Sequence, residues 1–232
     1  MAHKLEKSIL FLVCPQEDFV GRLEYGARRP NRLHVGYEAT RRLRGDPRRG
    51  DRRDPFVEAA LQFYNPAVPG SDRCSVIVDE DWHEPNCAEF PIFGPHCIKG
   101  SPGAQLAGEL EPLRADPRTH VIRANSLNVA EGTRYDDLLS SICGSVPPER
   151  IRVGVMGVWT NVKVEYLLLN LRTRAPFFPR IGVCEPLCAS PKRSDHDAAI
   201  EKFEMLGYEV HYDVESFCSF MGLTVGEPVT SC

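Results

Sequence analysis

Two imidazoles and two carboxylates fall within one 16-residue stretch: Asp81, His83, Glu89 and His96. Four such side chains can converge on one divalent cation. Imidazole with carboxylate suits Zn, with Mn or Fe as alternatives. Spacing alone leaves a plainer arrangement open, with Asp81 capping a strand end and both histidines on the surface. Cysteine is the second source of chemistry, with nine in the chain. Their count is odd and their spacing irregular. The opening stretch MAHKLEKSILFLV is too polar to read as a secretory signal, so the expectation is a cytoplasmic protein with reduced thiols. Cys184 and Cys188 have no second pair nearby and read as buried thiols rather than a metal or redox pair.

Several short apolar runs could position these groups. KSILFLVCP (7–15) is continuous and rich in β-branched and other apolar residues, the pattern of a strand covered on both faces. The theme repeats at 74–81, 120–124, 152–160, 180–186 and 208–213. Helical patterns lie between them. The first, 54–64, has Asp54 as N-cap and Pro55 in the first turn. The others are 133–144, opening on Thr133 and stopping at Gly144; 160–174, opening on Thr160; and 194–207, opening on Ser194 and closing on Gly207. Alternation of this kind predicts a three-layer α/β/α domain with a six-stranded, mostly parallel sheet. No repeat or linker divides the chain, so residues 1–232 read as one domain. Ligands of such sheets bind beyond the carboxyl ends of the strands. Those ends are CPQEDF (14–19), DEDWH (79–83), RANS (123–126), GVWTNVK (157–163) and CEPLCAS (184–190).

Composition excludes some classes. Charged residues are 26% and net charge is −4, so bulk charge gives no reason to expect nucleic acid. No apolar run approaches the roughly 18 residues that cross a bilayer, so no membrane partner is expected. One stretch stands apart, RRLRGDPRRGDRRD (41–54), with seven Arg against three Asp. It reads as a solvated surface loop between two helices. The competing reading is a docking patch for an acidic partner, but no aromatic residues interleave for base stacking.

The strand-end motifs resemble those of the isochorismatase/nicotinamidase superfamily of cysteine hydrolases. CPQEDF is similar to the family's D-x-Q-x-D-F. DWHEPNCAEF resembles the nicotinamidase metal segment. GPHCIKGSPGAQL resembles a segment that carries P-H-C and then a G-S-P-G-A run, and is the most specific match. GVMGVWTNVKVEYLLLN resembles the start of the helix that bears the catalytic Cys. CEPLCAS, with His196 after it, resembles a late family segment. The likeness runs from about residue 7 to 213 and makes 41–54 an insertion.

The resemblance implies an isochorismatase-like hydrolase fold, family-type oligomer surfaces and metal ligation by Asp81, His83, Glu89 and His96. In family members the metal holds the ring nitrogen of nicotinamide. Trp82, Val158 and Trp159 would wall the ligand pocket. A cis bond is implied between Val158 and Trp159. Gln16 and Asp18 match family positions, with Asp18 read as a loop cap; Cys97 reads as structural, and His196 as packing or capping.

The triad departs from the pattern. Family members use Asp, Lys and Cys; the matching positions here hold Cys14, Arg123 and Lys163. A Lys cannot form the thioester, and Arg stays protonated, so it cannot act as a base. The expectation is a degenerate, non-hydrolysing member, a pseudoenzyme that binds a small anionic or pyridine-like molecule. Two cations lining the site, Arg123 and Lys163, would favour an anion. One alternative is a working hydrolase of C–N bonds in small amides. Its nucleophile would be Cys14, held as a thiolate by Lys163, Arg123 and the helix start at Thr160. Another is a structural or partner-binding subunit that uses the arginine-rich segment.

Overall fold

The structure is a computed structural model and describes residues 4–224. Six strands form one sheet: β1 (Lys7–Val13), β2 (Cys74–Asp81), β3 (Thr119–Ala124), β4 (Ile151–Val158), β5 (Ile181–Ala189) and β6 (Glu209–His211). Their order is β3-β2-β1-β4-β5-β6 and every ladder is parallel. The continuous apolar runs become the central strands. From Ser8 onward every residue of β1 is buried, because helices cover both faces and a one-sided alternation would expose apolar surface.

Among the described residues, eight α-helices accompany the sheet: α1 (Glu17–Val20), α2 (Tyr37–Arg44), α3 (Pro55–Gln62), α4 (Phe90–Phe93), α5 (Tyr135–Cys143), α6 (Glu165–Thr173), α7 (Arg193–Met205) and α8 (Val214–Phe220). Asp54 caps α3 as expected: its carboxylate accepts from the Val57 N–H at 3.2 Å. The helix expected from Thr160 opens instead with a π-helical turn, Thr160–Val164, before α6 begins. Such turns recur at functional sites because they re-aim one side chain. Here that side chain is Lys163.

The arginine-rich segment is not a free loop. Its first residues form the last turn of α2. Arg44 is buried and donates to Asp54 at 2.6 Å. Arg42 donates to the carbonyls of Pro186 and Cys188, both at 2.6 Å. Those carbonyls belong to a bulge in β5, where the register with β4 shifts between Val155 and Gly157. Arg41, Arg48 and Arg53 pair with Glu38, Glu24 and Glu58. The charge excess read from the sequence is therefore largely neutralised within the fold.

Successive strands run outward from β1 in one direction, then from β4 in the other. This topological switch point opens a crevice at the carboxyl ends of β1 and β4. Gly157 lets the two strands close up there: a Cβ on it would lie 2.1 Å from the Val13 carbonyl. Immediately beyond are Cys14, in a left-handed conformation at φ 45°, and the Val158–Trp159 peptide, which is cis as implied.

Candidate metal centre and pocket

β2 ends in three carboxylates in a row, Asp79, Glu80 and Asp81. Alternation turns Asp79 and Asp81 into the crevice and Glu80 to the other face. Gln16 fixes the main chain at Asp81 from the end of β1. Its amide accepts from the Asp81 N–H at 2.8 Å and donates to the Asp81 carbonyl at 2.7 Å. An isolated parallel bridge, His83 to Ile98, folds the following loop back over the strand end. Asp18 holds that loop by accepting from the Cys97 N–H at 2.7 Å, a long-range tether where a local loop cap was expected. The fold-back brings His96 beside His83.

Three donors therefore converge. Nε2 of His83 and Nε2 of His96 each lie 3.7 Å from the same oxygen, Oδ2 of Asp81. All three residues are buried and their ligand atoms lie within 4.8 Å of one another. Nε2 of His83 has no hydrogen-bond partner. Nδ1 of His96 is held by the Gly94 carbonyl at 2.8 Å, which aims Nε2 inward. Two imidazoles and one carboxylate oxygen suit a divalent cation with further positions open. Glu89, the fourth expected ligand, is not in the cluster. Its Oε1 accepts from the Leu127 N–H at 2.7 Å, leaving Oε2 buried beside the site without a partner.

Lys163 reaches the same carboxylate from the other side. Its Nζ donates to Asp81 Oδ1 at 2.5 Å and to the Ser126 carbonyl at 2.9 Å, and lies 3.8 Å from Asp79 Oδ1. Burial pulls the Lys163 ammonium toward neutrality, but Asp79 and Asp81 outweigh it, and its pKa is raised. Burial pushes Asp79 up to about 7, against the pull of Lys163. Burial also works to raise Asp81, but Lys163, His83 and His96 hold it well below the usual carboxylate range. Nothing in the local sequence pattern singles out Asp79 beyond its being an acid inside a strand, two residues before a candidate ligand.

The pocket above this floor is small and lined by Cys14, Phe19, Leu33, Phe93, Leu127, Val158, Trp159, Val162 and the Asp81, His96 and Lys163 side chains. Val158 and Trp159 are in the wall. Trp82 is not: its ring lies under the Arg123 guanidinium, 4.1 Å from ring centroid to Cζ. Arg123 is exposed and pairs with Glu80 at 3.3 Å, on the face of β3 turned away from the pocket. The expected pair of cations in the pocket is thus reduced to Lys163, already balanced by two carboxylates. Cys14 is no resting thiolate. Burial and the charges of Asp81 and Asp79 push its thiol well up, and Lys163 offsets only part of that. Elsewhere, His196 is buried between Thr160 and Glu185, bonded to each at 2.8 Å, and Cys184, Cys188 and Cys97 are buried thiols, all as expected.

No protein-family model matches the sequence, and no curated protein matches it. The fold gives clearer relations. It superposes on an isochorismatase-like hydrolase from Alkaliphilus metalliredigens with a TM-score of 0.68 at 18% identity, covering 92% of this chain and 98% of that one. It superposes on the nicotinamidase PncA from Bacillus subtilis with a TM-score of 0.64 at 20% identity, covering 88% and 98%. A pyrazinamidase of Pyrococcus horikoshii, solved in complex with zinc, gives 0.62 at 19%, covering 88% and 98%. The fold is that of the isochorismatase-like hydrolases. No described helix is long and apolar enough to cross a membrane.

Proposed function

We propose that this protein binds a divalent cation through Asp81, His83 and His96 and uses it to hold a small, uncharged, pyridine-like ligand, without the amide hydrolysis of the cysteine hydrolases. One observation carries the reading: Lys163 stands where the resemblance places the nucleophilic Cys, and its ammonium is locked between Asp79 and Asp81 directly beside the three donors. The zinc of the structurally similar pyrazinamidase supports Zn as the metal. A bound cation supplies a Lewis-acidic coordination point for a ring nitrogen.

The chain's own side chains do the rest. Phe19, Leu33, Phe93, Leu127, Val162 and Trp159 offer apolar walls that suit a flat ring and exclude water. The indole N–H of Trp159 donates to the Leu33 carbonyl at 2.7 Å, which fixes that wall. Lys163 holds Asp81 Oδ1, so Oδ2 is the oxygen left for the cation. With no spare positive charge in the pocket, a neutral ligand is favoured over an anion.

Metal analysis of purified protein tests this: about one divalent cation per chain is expected, lost in Asp81→Asn and His83→Ala. Native mass spectrometry should then show a small heterocycle carried by the loaded protein. Metal-free wild-type protein after mild handling overturns the reading. Ammonia release from nicotinamide or pyrazinamide would overturn its non-hydrolytic part.

That result would favour a second reading, in which Cys14 is the nucleophile. One observation speaks for it. Cys14, Asp79 and Lys163 gather at one floor the three residue types of the family triad, each from a different element. Loss of that activity in Cys14→Ala would establish it.

A further inference from the structure

Each ligand imidazole must be held from its far side if Nε2 is to face a cation. For His96 the Gly94 carbonyl does this. His83 is different. Its Nδ1 lies 3.3 Å from the sulfur of Cys87 and 3.4 Å from Oδ1 of Asn125. The oxygen is long for a nitrogen–oxygen hydrogen bond, whereas the sulfur sits well within reach of its larger radius. It is also shared, because it accepts from the Glu84 N–H at 3.2 Å. The sulfur in turn lies 3.5 Å from the main-chain carbonyl of Asn125. Cys87 is buried and no part of the triad or the donor cluster.

We infer that Cys87 is a positioning residue for His83, resting on the metal-binding reading of the site. The ring Nδ1–H donates to the Cys87 sulfur, and the Cys87 S–H donates to the Asn125 carbonyl. This relay fixes the tautomer whose bare Nε2 faces Asp81 Oδ2. It also ties the loop after β3 to the loop after β2. A thiol serves because it can accept from the ring and donate to the carbonyl at once. Alanine can do neither. Serine can do both, over a shorter reach.

The test is Zn²⁺ affinity, measured by competition with a chromophoric chelator on full-length wild type, Cys87→Ala and Cys87→Ser. Loss of a partner of this kind lowers metal affinity about 10–100-fold. That loss is expected for Cys87→Ala, with Cys87→Ser recovering most of it. The ligand-field absorption of the Co²⁺-loaded protein should shift in Cys87→Ala and return in Cys87→Ser. Urea midpoints of the metal-free proteins separate this from a folding defect, and a Cys87→Ala protein that folds as wild type yet binds weakly supports the inference. Equal affinity and equal spectra in wild type and Cys87→Ala overturn it while leaving the metal site standing. A wild-type protein that takes up neither Zn²⁺ nor Co²⁺ overturns both.

Discussion

Lys163 decides what this site can do. A buried ammonium beside two buried carboxylates is stable only as a set, since removing one member strands the others. Lys163→Met should therefore destabilise the fold by roughly 3–5 kcal/mol, read from urea unfolding. Replacing Asp79 with Asn in the same chain should recover part of that loss. His96 sets the pH response. Burial opposes its protonation, but the Asp81 carboxylate 3.7 Å away and the hydrogen bond to the Gly94 carbonyl outweigh it, and its pKa is raised above 6.5. In the metal-free protein the stability this supplies is fully present below pH 6.5 and is lost as pH rises through the raised value. A cation needs the same nitrogen unprotonated, so metal affinity should climb over the window in which metal-free stability falls. Titrating both between acid and mildly alkaline pH checks the pair of trends. His96→Ala should flatten the first of them.

Between elements, the contacts that matter join strand ends that are far apart in sequence. Gln16, just after β1, clamps both main-chain polar groups of Asp81 at the end of β2. Gln16→Ala would leave a buried N–H and a buried carbonyl without partners. We expect a cost of roughly 2–4 kcal/mol, together with weaker metal binding. Denaturant midpoints and chelator competition measure the two separately. The π-helical turn before α6 belongs to this scale as well. The sequence marks Thr160 as a helix start, but the extra-wide first turn that swings Lys163 toward Asp81 is set by packing, not by local propensity. The loop after β3 is similar. Its main chain meets Lys163 at Ser126 and Glu89 at Leu127, and no local pattern announces either contact.

Across the molecule, the arginine-rich segment braces α2, α3 and the β5 bulge. Arg44 is 2% exposed and pairs with Asp54, so Arg44→Ala should cost on the order of 3 kcal/mol. Arg48 pairs with Glu24 on the open surface, so Arg48→Ala should leave the melting temperature unchanged. A docking patch would show the reverse, with little stability change at Arg44 and lost partner binding at both. The sequence alone determined the parallel α/β architecture, because buried strands need unbroken apolar runs and their order along the chain is visible. It also marked Asp81, His83 and His96, whose types and spacing are local, as candidate ligands, and showed the absence of Cys from position 163. Only the tertiary structure decided which candidates meet. Strand alternation sends Arg123 to the outer face, where it covers Trp82. The bond to Leu127 occupies one oxygen of Glu89. Asp79, unremarked inside its strand, becomes the partner of Lys163. Side-chain direction and long-range pairing fix these outcomes, and both depend on neighbours that the local sequence does not contain.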